Sequence, residues 1–226
     1  MSPTIDVRRR VLEDNDREAA RLRAAFAADG TLVVNLISSP GSGKTTLLET
    51  TIRTLAGRFT MAALEGDIAT ERDADRLRAL GIPAHQILTG GSCHLDARLV
   101  AAGLERTAFP KVDLLFIENV GNLICPTAYD LGEDMKIALL STAEGDDKPF
   151  KYPGIFARAG VVVITKADLA PHVVFDLEAV RAQVATLNPE APLLVTSSRT
   201  GEGIGAWCDL LVSRLEAKRG GSRACP

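Results

Sequence analysis

Short apolar runs alternate with helical stretches along most of this chain, and that alternation constrains its fold more than any other feature. The apolar runs lie at residues 32–37, 61–64, 86–88, 114–117, 137–140, 161–164 and 193–195. Stretches with helical spacing of apolar side chains lie between or after them, at residues 44–55, 69–80, 95–104, 176–187 and 204–215. Apolar strands separated by helices indicate an α/β fold, in which a mostly parallel twisted sheet is flanked by helices.

The 226 residues suit a single hydrophobic core with a short appendage. Residues 1–30 are predicted to form an N-terminal amphipathic helix, because apolar side chains recur at helical intervals over residues 7–28 and Gly30 follows. The main domain is predicted to span residues 31–217. Residues 218–226 are small and polar, which predicts a disordered tail and makes Cys225 a weak functional candidate.

Composition excludes several classes of partner. A net charge of −3 and few aromatic residues provide neither a basic field nor stacking surfaces for nucleic acid. No apolar run approaches the roughly eighteen residues that a membrane span needs, so no membrane partner is expected.

The sequence starts with charged residues and has no apolar signal core, which predicts a cytoplasmic protein. Four cysteines without framework spacing agree with a reducing compartment.

A phosphate loop follows the first apolar run. Residues 38–45 read SSPGSGKT and open a predicted helix, which is the context that a P-loop NTPase requires. Main-chain N–H groups are predicted to bind the phosphates, with Lys44 reaching the β- and γ-phosphates and the Thr45 hydroxyl binding Mg²⁺. The predicted phosphate-binding residues are Gly41, Ser42, Gly43, Lys44, Thr45 and Thr46. Ser38 replaces the first glycine of the usual pattern, and the alternative is a glycine-rich turn that binds nothing.

Acidic residues follow two further runs, where a Mg²⁺ partner is expected. Asp67 and Glu118 can each hold Mg²⁺ or orient the attacking water, and the sequence leaves their roles open. Asp73 is a further candidate for the same two roles, whereas Asp75 more readily fits a solvated helix face. Gly121 can donate its N–H to a γ-phosphate, which would make its segment a sensor of the nucleotide. The predicted catalytic residues are Lys44, Asp67, Asp73 and Glu118, and those predicted for magnesium are Thr45, Asp67 and Glu118.

A guanine-reading element of the [NT]KxD type follows the sixth run as Thr165-Lys166-Ala167-Asp168. The Asp168 carboxylate can accept two hydrogen bonds from guanine, a pair of donors that adenine does not offer, while the Lys166 stem lies along the base. The alternative is a helix cap at Asp168 beside an exposed lysine. A main-chain N–H after the last run is predicted to meet the guanine oxygen, in the segment Ser197, Ser198 and Arg199.

Two cysteines and a histidine form a candidate metal site. Cys93 and His94 precede a predicted helix, whose N-terminus is expected to lower the pKa of the thiol, and Cys125 lies four residues beyond Gly121. Two thiolates and an imidazole suit Zn²⁺, Ni²⁺ or copper. Spacing alone favours the alternative of buried thiols and a capping histidine. Cys208, beside Trp207, is predicted to pack in the core.

Longer strings resemble the hydrogenase nickel-incorporation GTPases of the HypB family. They are SSPGSGKT at 38–45, TGGSCHLDA at 89–97, ENVGNLICP at 118–126, YDLGE at 129–133 and EGDDKPFKYPGIF at 144–156. The resemblance implies a SIMIBI-like G domain that hydrolyses GTP with Mg²⁺, and a site for Ni²⁺ or Zn²⁺ at Cys93, His94 and Cys125. It also implies a homodimer on GTP binding, with a hydrogenase large subunit and another nickel accessory protein as partners.

The sequence departs from the family before Gly30, where it has neither a cysteine-rich nickel motif nor a histidine-rich stretch, so the resemblance does not extend to high-affinity nickel capture or nickel storage. Thr165 stands where the guanine motif usually has asparagine. The leading hypothesis is a GTP-dependent metallochaperone for [NiFe] hydrogenase. Alternatives are an accessory GTPase for urease or a cobalamin enzyme, a non-catalytic nucleotide-gated metal switch, and a small-molecule kinase. Arg72 is only a candidate for an arginine finger.

Overall fold

The computed structural model describes residues 7–67, 72–107 and 109–222, with the side chains at 7–10, 67, 72 and 221–222 outside that description. The strands are β1 Leu32–Ile37, β2 Met61–Asp67, β3 Ala84–Leu88, β4 Leu114–Glu118, β5 Met135–Ser141, β6 Val161–Thr165 and β7 Leu193–Val195. The helices are α1 Val7–Asp29, α2 Lys44–Leu55, α3 Arg72–Arg78, α4 Ala97–Thr107, α5 Lys148–Lys151, α6 Pro153–Arg158, α7 Leu177–Leu187 and α8 Ile204–Ser222. Among the described helices, none is long and apolar enough to cross a bilayer.

The seven strands form one parallel sheet in the order β3-β2-β4-β1-β5-β6-β7. The predicted α/β fold is therefore confirmed. Strand β1 lies between β4 and β5, and all six of its residues are buried because helices cover both faces of the sheet. The chain leaves β1 toward one edge and later returns to the other side of it, so a crevice opens beyond its carboxyl end. The phosphate loop lies at that crevice.

Helices α2, α3 and α8 cover one face of the sheet, and α1, α4, α6 and α7 cover the other. Trp207 on α8 is fully buried, and its Nε1–H donates to Thr51 Oγ1 at 2.9 Å. Cys208 lies in the same core, as predicted, and burial raises the pKa of its thiol to about 11. That thiol is therefore a structural residue with little thiolate character.

Helix α1 occupies the predicted N-terminal stretch and packs its apolar face on α4. The buried Asn15 joins two other parts of the chain, because its Oδ1 accepts from Ala97 N at 2.9 Å and its Nδ2 donates to Asp130 O at 2.9 Å. A Cβ at Gly132 would lie 2.8 Å from Ala19 O, so the glycine permits close approach of the loop to this helix.

The predicted disorder from Lys218 onward is wrong through Ser222, because α8 continues to that residue. Lys218 Nζ donates to Thr31 O at 2.7 Å and to the Asp134 carboxylate at 2.7 Å. These partners lie at the starts of two strands and replace water around the ammonium group, so the polar sequence remains helical. Cys225 lies outside the described residues, as do positions 68–71 at the predicted start of α3. The short helices α5 and α6 had no sequence signal of their own.

Candidate nucleotide and metal sites

The phosphate loop runs from the end of β1 to the start of α2. Gly41 and Gly43 adopt φ values of 77° and 90°, a left-handed conformation that favours glycine. Ser38, at the position of the usual first glycine, is buried and accepts a hydrogen bond on its Oγ from Lys44 Nζ at 3.1 Å. Its own hydroxyl donates to Ser39 O at 2.7 Å. The departure from the pattern thus provides an internal partner for the lysine.

A cleft of about 460 Å³ opens above this loop. Predicted site residues that line it are Gly41, Gly43, Lys44, Thr45, Thr46, Asp73, Glu118, Gly121 and Lys166. The Ser42 side chain turns elsewhere, with its hydroxyl 2.6 Å from Glu144 Oε2. The same carboxylate oxygen accepts from Ser141 N, so Glu144 ties the phosphate loop to the end of β5.

Two buried carboxylates face each other at the base of the cleft. Thr45 Oγ1 donates to Glu118 Oε1 at 2.9 Å, and Lys44 Nζ lies 3.9 Å from the same oxygen. Glu118 Oε2 has no hydrogen-bond partner among the described residues, so the Thr45 and Glu118 oxygens fit a hard cation such as Mg²⁺. Burial raises the pKa of Glu118, although Lys44 opposes the shift. Burial, and then the Glu118 carboxylate, raises the pKa of Glu65 well above its ordinary value.

Glu65 is the cleft residue that the sequence prediction passed over in favour of Asp67. Both stand at the end of β2, and the side chain of Asp67 lies outside the described part of the structure. Asp73 lines the cleft while its Oδ1 lies 3.0 Å from Arg76 Nη1. Asp75 instead pairs with Arg78 and remains largely exposed, as predicted for a solvated helix face.

The predicted guanine element is joined directly to the phosphate loop. Lys166 has a φ of 56°, and its Nζ donates to Gly41 O at 2.7 Å. Thr165 Oγ1 donates to Ser42 O at 2.6 Å, so the hydroxyl at the usual asparagine position links the two loops. The predicted base-reading segment and the phosphate loop are therefore joined by two hydrogen bonds.

Asp168 and the segment after β7 also meet. Ser197 Oγ donates to Asp168 Oδ1 at 2.6 Å, which orients the carboxylate. The N–H of Ser197 already donates to Glu202 O at 2.9 Å. Of the three predicted residues, Ser198 and Arg199 therefore remain the candidates for contact with a base oxygen.

The thiols and the imidazole come together from two separate loops. Cys93 and His94 lie between β3 and α4, and Cys125 begins a 3-10 turn after β4. Their donor atoms all lie within 4.8 Å of one another, and Cys93 Sγ is 3.7 Å from His94 Nδ1. Both thiols are half-buried. Two sulfurs and one nitrogen at this spacing fit Zn²⁺, Ni²⁺ or copper far better than Mg²⁺.

The pKa of the Cys93 thiol differs from the sequence prediction. Contact with the Cys125 thiol, followed by burial, raises the pKa of Cys93, so the predicted lowering is wrong. The physical reason is distance, since α4 begins only at Ala97 and a helix dipole acts over its first turn. Burial lowers the pKa of His94 and favours the neutral imidazole that metals bind. The Tyr129 ring lies against it, with centroids 3.9 Å apart.

Residue 119 connects the two sites, and sequence reasoning missed it. Asn119 Oδ1 accepts from Leu95 N at 3.1 Å and from Val120 N at 3.0 Å, and its Nδ2 donates to Asn35 Oδ1 at 3.3 Å. Asn122 Nδ2 donates to Cys93 O at 3.3 Å. Only the position of Asn119 directly after Glu118 hinted at this role, because its partners Leu95 and Asn35 lie on distant segments.

The chain as a whole, and not only its sites, is similar to one family of proteins. The CobW/HypB/UreG nucleotide-binding domain family matches residues 32–195. A hydrogenase maturation factor HypB from Azotobacter vinelandii is 50% identical over 210 residues, which cover 93% of this chain and 68% of the relative. The chain belongs to the HypB family. A hydrogenase/urease maturation factor HypB from Helicobacter pylori is 44% identical over 93% of this chain and 86% of its own length.

Solved structures agree with that membership. A crystal structure of HypB from Helicobacter pylori in complex with nickel superposes on this chain with a TM-score of 0.85 at 43% sequence identity. The match covers 92% of this chain and 97% of that one. The signal recognition particle receptor FtsY from Elizabethkingia anophelis, at 14% identity and a TM-score of 0.52, shares the fold alone. The HypB family domain thus has the fold of a nucleotide-binding P-loop protein.

Proposed function

We propose that this chain is a GTP-hydrolysing metallochaperone that binds nickel, or zinc, at Cys93, His94 and Cys125 and assists nickel insertion into [NiFe] hydrogenase. GTP binding would promote a homodimer, and the partners would be a hydrogenase large subunit and another nickel accessory protein. The relatives' names support the hydrogenase client, and the nickel complex of the Helicobacter pylori protein supports the metal.

One loop supports this proposal most directly. Residues 118–125 begin at the carboxylate bonded to Thr45 and end at the thiol of Cys125. Between them, Gly121 lies so near the phosphate loop that a Cβ on it would be 2.8 Å from Pro40 Cγ. A γ-phosphate that moves this segment therefore acts on a metal ligand through few intervening residues.

In hydrolysis, the predicted site residues would bind the phosphates, the base, Mg²⁺ and the attacking water. Lys44 neutralises charge on the β- and γ-phosphates, and Asp168 selects guanine by accepting two hydrogen bonds. Thr45 and Glu118 would hold Mg²⁺, which neutralises phosphate charge when bound. Glu118, Asp67 and Asp73 are the alternatives for orienting the attacking water. Intrinsic turnover is expected to be slow.

In metal binding, the nucleotide would change the relation between the two thiol-bearing loops. Asn122 donates to Cys93 O, and Asn119 accepts from Leu95 N beside His94, so movement of residues 119–122 pulls directly on the other ligand loop. By linkage, metal must alter nucleotide affinity by the same factor as nucleotide alters metal affinity. A tenfold effect requires only about 1.4 kcal/mol.

Size-exclusion chromatography with metal analysis tests the proposal when it is run with GDP and with a non-hydrolysable GTP analogue. A shift to a dimer with the analogue, together with a changed nickel affinity in competition titration, is the expected result. Equal nickel affinities in both nucleotide states would remove the coupling. Lys44→Ala should abolish client metallation, whereas intact metallation in that variant would favour a non-catalytic switch.

Urease is the second candidate client, and the hydrogenase/urease name of the Helicobacter pylori relative favours it. Pull-down of purified hydrogenase large subunit and of purified urease by the nickel-loaded chain separates the two clients. Retention of the hydrogenase subunit alone supports the first proposal, and retention of urease alone replaces it.

A further inference from the structure

A buried glutamine beside the cleft has no explanation in the site described above. Gln86 on β3 is only 6% exposed, yet neither its Oε1 nor its Nε2 has a hydrogen-bond partner among the described residues. An unpaired buried amide destabilises a fold, because the group loses its bonds to water and gains none. An apolar side chain of the same shape would avoid that cost. The amide therefore suggests a use in a state of the protein in which it finds a partner.

The sheet register identifies that partner. Gln86 is aligned with Glu65 on β2, and Glu65 is aligned with Glu118 on β4. Aligned residues on neighbouring parallel strands share a face and lie about 4.8 Å apart, so the three side chains form one row. Glu65 Oε1 and Glu118 Oε2 also lack partners among the described residues. Both glutamates line the cleft, whereas Gln86 lies behind them and does not.

We propose that Gln86 is a positioning residue for nucleotide hydrolysis, acting through Glu65. Its amide donates to the Glu65 carboxylate and fixes that group next to Glu118, where the row ends at the cleft and orients water near the terminal phosphate. Because the two residues are aligned on neighbouring strands about 4.8 Å apart, rotation of the Gln86 side chain alone would bring its amide to Glu65. This assignment rests on the proposed GTPase function.

Gln86→Met tests it, because methionine matches the length of glutamine but cannot donate a hydrogen bond. We expect kcat for GTP hydrolysis to fall about tenfold, since the water is then less well oriented. The KM for GTP and the affinity for GDP should change by less than about twofold, because Gln86 does not line the cleft. The unfolding midpoint should stay equal or rise, since an unpaired buried amide has been removed.

The matched control is Gln183→Met on α7. Gln183 Oε1 is also buried without a partner, but it borders a surface groove beside Pro153 and Leu187, away from the nucleotide cleft. This variant should keep the kcat of the unsubstituted chain. All rates are divided by the measured concentration of GDP-binding sites, so that a smaller fraction of folded protein is not mistaken for a lower kcat.

A double-mutant cycle with Glu65→Gln separates action through Glu65 from an independent effect. Gln86→Met should lower kcat in the unsubstituted chain and cause no further loss in the Glu65→Gln background. Three results would overturn this inference without touching the proposed GTPase function. They are an unchanged kcat in Gln86→Met, an additive loss of kcat in the double variant, and a loss of kcat that accompanies a lowered unfolding midpoint. Absence of GTP hydrolysis by the unsubstituted chain overturns the proposed function as well.

Discussion

Replacement of Gly121 by alanine tests the contact between the sensor segment and the phosphate loop. The new Cβ would lie 2.8 Å from Pro40 Cγ and 3.0 Å from both Pro40 Cα and Pro40 N. Two of these three atoms belong to the main chain, so a side-chain rotation does not relieve the clash. The two segments must separate by about 0.4 Å at the main-chain atoms and about 0.6 Å at Pro40 Cγ to reach ordinary contact, which starts near 3.4 Å.

Overpacking of this kind costs about 1–3 kcal/mol, which corresponds to about 5- to 150-fold in an equilibrium constant. We expect Gly121→Ala to weaken binding of a GTP analogue by a factor in that range and to affect GDP less. Nickel affinity should become nearly independent of the nucleotide, because the segment no longer moves as one with the phosphate loop. Isothermal titration calorimetry gives the nucleotide affinities, and competition titration gives those for nickel.

Gly154→Ala is the matched control for this experiment. A Cβ at Gly154 would meet Thr127 Cγ2 at 3.7 Å, an ordinary contact, in a helix near the Cys125 turn. This variant should retain both affinities and the coupling between them. If Gly121→Ala also binds the analogue and nickel as the unsubstituted chain does, the proposed mechanical link is refuted.

Two further substitutions test separate parts of the site, and a third tests an ion pair outside it. Asp168→Asn should weaken GTP binding about a hundredfold or more and improve XTP binding, because xanthine carries a carbonyl where guanine carries an amino group. Fluorescent-nucleotide titration measures both affinities, and tighter binding of ATP by the variant would contradict this reasoning. Cys125→Ser should weaken nickel binding without changing GDP affinity in chelator, and unchanged nickel affinity would place the ligands elsewhere. Burial opposes ionisation of Asp113, but hydrogen bonds from Arg219 and Thr60 outweigh it and lower its pKa. That stabilisation is present above the unfolded pKa of about 3.9 and is lost as pH falls through the lower folded value. Asp113→Asn should therefore lower the free energy of unfolding at pH 7 in urea titrations, and the difference from the unsubstituted chain should shrink as the pH falls below about 3.9; a pH-independent difference would refute it.

The sheet was predictable because its strands are buried on both faces and their apolar runs are uninterrupted by charge. The phosphate loop and the predicted guanine element were recognisable for a different reason, since each is a contiguous string of residues that can be read without knowledge of strand register. The end of α8 was not predictable from local composition. Its order depends on partners of Lys218 that lie about 190 and 80 residues earlier in the chain, such as Thr31 and Asp134.

Side chains that depend on strand register were invisible in the sequence. Glu65, Gln86 and Asn119 gain their meaning only when β2, β3 and β4 are aligned. The raised pKa of Cys93 belongs to the same class, because it depends on contact with a thiol 32 residues away. Sequence strings thus located the segments that carry the chemistry, while the charge and orientation of individual groups required tertiary structure.

The position of Asn15 affects how this protein can be shortened for laboratory use. A fragment that starts at residue 31 keeps the whole phosphate loop, yet it strips a hydrogen bond from Ala97 N, three residues beyond His94, and another from Asp130 O, next to the Tyr129 ring. We expect such a fragment to pass every nucleotide assay while its sulfur and imidazole donors lose their fixed spacing. Helix α1 would then support the geometry of the proposed metal site, although all three donor atoms lie much further along the chain.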